Sequence, residues 1–360
     1  MKEAWIRGSL WDRAALAWKG AEPESSEPLD VFKELRCAQK ILILPNDRVG
    51  GLFIGAPIYK ALRHKYPDAE ISLLVDESKE SIALQLPFVD NVITTANSRS
   101  IWNAEFDQFA AELGREEFDI AFCLGADCSF RLVQLCKASG ARLRVGFRRQ
   151  GVEPFNIEIV PRSTRIYEGD QYSSMLRMLG IDAGNPVKWT LSQEQAQKIR
   201  ERYLDDDFAK SLVVGIDIAK GEGGGLSNRQ LDDVVGRVIE RGARALLFFS
   251  LAEKKRVNYL KETYGNRALL FEQNNLPDVA ALLEGCTVLI ACNTDLLHLG
   301  ISLQVPSVGI FEDDPLRWVS SENPLVKVVQ GRDTTGVKIT QIVHALEEVL
   351  RVIRGTENVG

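Results

Sequence analysis

The 360-residue chain has only three histidines and six cysteines, and neither type is arranged for metal chemistry. His64, His298 and His344 lie far apart, and no CxxC pair occurs among Cys37, Cys123, Cys128, Cys136, Cys286 and Cys292. Their spacing supports no disulfide framework, so free, mostly buried thiols in a reducing compartment are expected. A surplus of positive charge is also missing. Net charge is −6, and neutralising a nucleic acid needs the opposite sign. No apolar run approaches the ~20 residues that span a bilayer, and no signal-peptide core opens the chain. Nucleic-acid binding, a membrane span and secretion are set aside. The expected address is cytoplasmic, with any contact to the inner face of the cytoplasmic membrane peripheral.

What is present reads as globular α/β protein. Hydrophobic residues make up 45% and charged residues 26%, which excludes disordered and fibrous classes. The length suits two domains at about 150 residues each. Residues 1–37 read as a helical extension and linker. Trp5, Ile6, Leu10, Trp11, Ala14, Ala15 and Trp18 form a helix-spaced apolar stripe among Lys2, Arg7, Arg13 and Lys19. Such a helix suits a membrane interface, a second subunit, or docking on the protein's own body. Residues 38–183 then alternate short apolar strands with helices: Lys40–Pro45, Glu70–Asp76, Asn91–Thr95, Phe118–Gly125 and Ala141–Phe147. Residues 184–338 repeat the scheme with Ser211–Ile218, Arg244–Ser250, Ala268–Glu272, Thr287–Cys292 and Pro306–Phe311. Continuous apolar strands between helices predict parallel sheets covered on both faces. Two Rossmann-like domains facing a cleft follow. Residues 339–360 carry a last amphipathic helix, expected to cross back to the first domain.

Ligands of open α/β sheets gather at the carboxyl ends of strands, and three loops there are informative. In Pro45–Gly55 the pair Gly50-Gly51 permits a positive φ and close backbone approach, beside Asn46, Asp47 and Arg48. Neither a GKS nor a GKT follows, so this is no Walker loop. Ala219–Asn228 holds four glycines, among them Gly223 and Gly224, with Lys220 and a Ser227-Asn228 cap. It reads either as an anion pocket at a helix N-terminus or as a tight surface turn. In the third loop, Asn293, Thr294 and Asp295 open a helix that carries His298. That helix end is suited to a pyrophosphate, with His298 either a ligand contact or structural.

At these residues the chain resembles glycosyltransferase family 9, the ADP-heptose:lipopolysaccharide heptosyltransferases. The resemblance runs from about Lys40 to about Arg354, through KILILP, ALRHKYPDAEISLLV, FDIAFCLGADCSFR, GARLRVGF and YSSMLRMLGI, then VVGIDIA and AALLEGCTVLIACNTDLLHLGISLQVPSVGIF. It implies the GT-B fold and inverting, metal-independent transfer of a heptose-like sugar. The donor would be a nucleotide diphosphate such as ADP-heptose, used as substrate with no cofactor. The acceptor would be a cell-envelope glycan or a lipid-linked acceptor, as in lipopolysaccharide biosynthesis. The resemblance also implies a donor site at Lys220, Gly223, Gly224, Ser227, Glu253, Asn293, Thr294, Asp295 and His298, and an acceptor-side loop at Asn46, Arg48, Gly50 and Gly51.

The departures concern chemistry. The family's acceptor-activating Asp falls at Gly51, leaving Asp47 as substitute base. The family's donor-phosphate Lys falls near Gly224, leaving Lys220. The signature Asp-Thr-Gly-x-x-His becomes Asn293-Thr294-Asp295-Leu296-Leu297-His298. Two readings follow: a transferase, or a non-catalytic descendant that binds a nucleotide sugar or glycan or serves as a scaffold. The extension is predicted to attach the protein to an anionic membrane or a partner subunit, since three tryptophans on one short helix are costly to leave in water. A chain starting at Leu35 is expected to lose liposome flotation or change its mass by light scattering; no change in either means the extension packs on its own domain.

Overall fold

The computed structural model describes residues 29–46, 48, 50–96, 103–125, 130–148, 154–160, 166–182, 192–205, 208, 210–221, 225–312, 314–331 and 336–357. The N-terminal apolar stripe, Asp47, Cys128, Gly223 and Gly224 lie outside them. The chain divides into two compact units, Met1–Asn185 and Pro186–Gly360.

Among the described residues the first helix of the first unit is α1 (Val31–Cys37), capped by Asp30, whose carboxylate accepts from Lys33 N–H. Strands β1 (Lys40–Leu44), β2 (Glu70–Asp76), β3 (Asn91–Thr95), β4 (Ile120–Cys123), β5 (Leu143–Phe147) and β6 (Ile157–Ile159) form one sheet in the order β3-β2-β1-β4-β5-β6. Every pair is parallel. Helices α2 (Gly51–Lys65), α3 (Glu80–Ala83), α4 (Ala104–Gly114), α5 (Phe130–Ala138) and α6 (Glu168–Met178) alternate with the strands. Ile41, Leu42, Ile43 and Leu44 of β1 are all fully buried, the burial of a central strand covered on both faces.

The second unit repeats this plan. Its helices are α7 (Gln193–Tyr203), α8 (Asn228–Glu240), α9 (Lys254–Tyr264), α10 (Leu276–Glu284), α11 (Asp295–Ser302) and α12 (Ile339–Glu357). Its strands are β7 (Val213–Asp217), β8 (Arg244–Phe249), β9 (Ala268–Glu272), β10 (Val288–Cys292), β11 (Ser307–Phe311) and β12 (Val326–Gln330), ordered β12-β11-β10-β7-β8-β9. Read from the other edge, that is again the dinucleotide-binding order, with the chain reversing direction between β7 and β10 as it does between β1 and β4.

Three expectations are corrected. The sequence reading gave five strands per sheet, and the structure has six. β12 buries only two of its five positions and β6 has three residues, so neither shows a continuous apolar run. The last helix was expected on the first domain. Instead Ile342, Ala345, Leu346 and Val349 of α12 belong to one core with Ile290, Ile310 and Val329 of the second sheet. Its apolar face is spent there. A cut at Leu35 also falls inside structure, because Glu34 pairs with Arg142 at 3.0 Å and the Leu35 carbonyl accepts from Tyr66 Oη at 2.7 Å. Removal of the extension therefore belongs before Asp30. Among the described residues, Cys37, Cys123, Cys136, Cys286 and Cys292 are free thiols, all but Cys37 buried. Among the described residues, no helix is long and apolar enough to cross a membrane.

Candidate functional site

Where strand order reverses, the loops leaving the two central strands diverge and open a crevice at their carboxyl ends. Each unit has one. In the second unit the crevice lies between β7 and β10, and its floor is polar. Asp217 ends β7 with 4% of its surface exposed. Its Oδ2 accepts from Thr294 Oγ1 at 2.6 Å. Its Oδ1 accepts from Ala219 N–H at 3.0 Å and from Gln273 Nε2 at 3.3 Å. One carboxylate thus ties together the ends of β7, β9 and β10. Thr294 is also the N-cap of α11, accepting from Leu297 N–H at 3.3 Å, so the carboxylate fixes the helix terminus as well. Gly221 permits the closest approach: a Cβ there would sit 2.4 Å from the Asn293 carbonyl oxygen.

Burial sets the protonation of this crevice. It raises Asp217 from 3.8 to about 6, against the lowering effect of its hydrogen bonds. It pushes the Cys292 thiol up to about 12. It lowers His298 from 6.5 to about 4, so this imidazole is neutral at pH 7. His298 Nε2 lies 2.8 Å from Asn293 Oδ1, and the ring meets that of buried Trp318 at 5.9 Å. Through this hydrogen bond between Nε2 and Asn293 Oδ1 the ring braces the turn.

The other donor-side residues divide between surface and turn. Ser227 caps α8 in a reciprocal box with Gln230, so its hydroxyl is committed to the helix. Glu253 accepts from Ser250 N–H at 3.0 Å and from the Ser250 hydroxyl, which commits one of its oxygens to the turn after β8. Lys220 is exposed, with Gly225 close against its stem. Asp295 occupies the first turn of α11. Arg256, which the sequence reading left without a role, bridges the loop after β7, donating to the Ile218 carbonyl at 3.2 Å and to that of Leu226.

The first unit's crevice is centred on Asn46. Its amide donates to Glu168 Oε2 at 2.9 Å and its Oδ1 accepts from Arg48 N–H at 3.1 Å. Glu168 Oε2 also accepts from Tyr172 Oη at 2.7 Å. Both Asn46 and Glu168 are buried. Sequence reasoning missed Glu168, since a lone Glu at a helix start announces only a favourable first turn. Gly50 caps α2 at φ 71°, as its placement in the loop predicts. Beside it lies a small hollow lined in part by Asp76, Lys79, Thr95 and Arg131. Lys79 Nζ donates to the Arg48 carbonyl at 2.8 Å, and Arg131 donates to the Ala96 carbonyl at 2.6 Å.

Gly51 carries the sharpest constraint. A Cβ there would lie 2.1 Å from the Asn46 carbonyl oxygen, well inside contact distance. A carboxylate at position 51 has no room beside that carbonyl, so Gly51→Asp is not expected to place a usable base there. Gly51→Asp is expected to lower stability by about 2 kcal/mol or more through strain and a displaced loop, measured by urea unfolding.

The buried pair in the second unit gives a pH prediction. Asp217, raised in the folded state, contributes stability at low pH that is lost as pH rises through about 6. His298, depressed, does the reverse and costs stability as pH falls from 6.5 to about 4. In the wild type the two oppose each other. Asp217→Asn removes the first, so relative to wild type the variant is expected to gain at pH 8 and to lose about two-thirds of that advantage by pH 4.5. The swing between these two pH values is about 2 kcal/mol, read as the difference between thermal unfolding curves at the two; an equal offset at both would contradict it.

Residues 106–335 match the model of glycosyltransferase family 9 (heptosyltransferase). Among solved structures, a family 9 glycosyl transferase of Veillonella parvula superposes with a TM-score of 0.70 at 19% identity, over 88% of this chain and 98% of that one. ADP-heptose lps heptosyltransferase II of E. coli gives 0.66 at 16% identity, over 88% and 99%. The E. coli heptosyltransferase WaaC, solved with ADP, gives 0.66 at 16%, over 86% and 99%. These structures share the GT-B fold of two doubly wound α/β domains, and the family model covers well over half of the chain. The chain belongs to glycosyltransferase family 9.

Proposed function

We propose that this protein binds a nucleotide-diphosphate sugar on its second unit and transfers a heptose-like sugar, with inversion, to a cell-envelope glycan or lipid-linked acceptor. The observation that carries the reading is the crevice between β7 and β10. Two loops meet there over a capped helix N-terminus, whose first-turn amides lack intrahelical partners and face incoming negative charge. ADP is the natural first candidate, because a relative of the same fold is solved with it. Backbone amides and Lys220 would stabilise the departing diphosphate, with no resident metal or cofactor in the scheme. On the first unit, Lys79 and Arg131 line the hollow beside the loop, which suits an acceptor bearing carboxylate or phosphate.

The acceptor proton needs a base, typically worth about 10²–10⁴ in rate. Asp47 is the acidic side chain of the loop and is assigned that role. The geometry of Gly51 favours a second reading, a descendant that binds the sugar nucleotide without turning it over. One panel tests both: calorimetry and thermal shift with ADP-, GDP-, UDP- and CMP-sugars, followed by donor consumption with glycan acceptors. A ligand at a hundred times its Kd is expected to add about 2.7 kcal/mol of stability. Lack of binding by every sugar nucleotide sinks the donor site. Binding with consumption that Asp47→Asn abolishes supports the transferase, and binding without consumption supports the descendant.

A further inference from the structure

The crevice between β7 and β10 holds a conflict of charge. A diphosphate placed at the α11 N-terminus arrives above the buried Asp217 carboxylate, with Asp295 in the same helical turn and Glu253 acting on Asp217 from the β8 side. Glu312, at the end of β11, bears on the same pocket through Cys292. Lys220 on the loop and Arg256 on α9 are two described cations of this region. A ligand that adds two negative charges here meets repulsion from these carboxylates.

The hydroxyl of Thr294 is the second constraint. It has one proton and two acceptor sites. The proton goes to Asp217 Oδ2 at 2.6 Å, and one acceptor site takes Leu297 N–H. While Asp217 is ionised, Thr294 has nothing left to donate to a phosphate oxygen.

We propose that an anionic ligand entering at the α11 N-terminus is taken up with one proton, which adds to Asp217 Oδ2 and turns the Thr294 hydroxyl proton outward, making it a donor to the ligand. The bookkeeping closes. The proton comes from solvent and forms an O–H bond on Asp217, which donates to Thr294 Oγ1. That oxygen then accepts from both Asp217 and Leu297 N–H, and its own proton is released toward the crevice. Asp217 Oδ1 keeps its bonds from Ala219 and Gln273, so no buried polar group loses its partner. Asp217 is the group suited to this task. Burial holds it at about 6, whereas neighbouring Cys292, at about 12, and His298, at about 4, keep one state across the neutral range. Asp217 becomes a positioning residue of the donor site, acting on the ligand through Thr294.

This inference rests on the donor-site reading above, and the experiment separates the two. The full-length protein is titrated with ADP-glucose, UDP-glucose and GDP-mannose at pH 6, 7 and 8, in two buffers of different ionisation enthalpy. The phosphates of these probes are diesters and do not titrate in that range, so a pH slope belongs to the protein. The expected result is uptake of close to one proton at pH 7 and affinity at least about tenfold tighter at pH 6 than at pH 8. Asp217→Asn presents an amide donor to Thr294 as the protonated acid would, so it is expected to bind at pH 8 as tightly as wild type does at pH 6, with no slope and no proton uptake. Binding without a slope or proton uptake in the wild type overturns the inference and leaves the donor site standing. An Asp217→Asn variant that is folded by circular dichroism but weakened at every pH also overturns it. Failure of all three probes to bind overturns both.

Discussion

Everything that bears on function hangs on two strand pairings. β1 runs beside β4 and β7 beside β10, each pair parallel and buried. A parallel strand covered on both faces presents its chemistry only where it ends. Because the chain turns away in opposite directions at these pairs, the two ends leave a gap between them. The apolar cores on either side stabilise the sheets without distinguishing one ligand from another. The few polar groups placed at the strand ends make the distinction.

The two crevices solve the same problem with different chemistry. In the first unit a neutral amide, Asn46, sits at the junction and hands a hydrogen bond to the buried carboxylate of Glu168, which a tyrosine hydroxyl also supports. In the second, a carboxylate occupies the junction itself and gathers a hydroxyl, an amide N–H and a side-chain amide. A buried carboxylate with three donors is tolerated, but its ionisation is costly enough to move its titration toward neutrality. The second crevice is therefore adjustable near neutral pH.

Much of the fold could be read from the residues alone. Strands such as KILIL, IAFC and VLIAC are continuous apolar runs, and ten of them marked two parallel sheets. The edge strand VKVVQ was invisible because half of it faces out, and α12 was assigned to the wrong partner because an apolar stripe states that a helix packs, never on what. The site was legible as loops and illegible as bonds. Thr294 as a cap and Gly50 as a left-handed turn follow from residue type and position. Glu168 with Asn46, Arg256 with the loop carbonyls and Asp217 with Thr294 join residues 30 to 122 positions apart. No local pattern announces pairings of that kind.

The closeness of the Asn46 carbonyl to Gly51 also bears on how such a site can change over time. Substitutions at position 51 are contingent on where the Asn46 carbonyl sits. A lineage with this arrangement loses the option of any side chain at position 51 until that carbonyl moves first. The order of mutational steps then matters: a carboxylate introduced before the loop shifts is selected against for stability, whatever it would offer in rate. The backbone thus works as a ratchet at position 51, and a glycine there is easier to acquire than to replace.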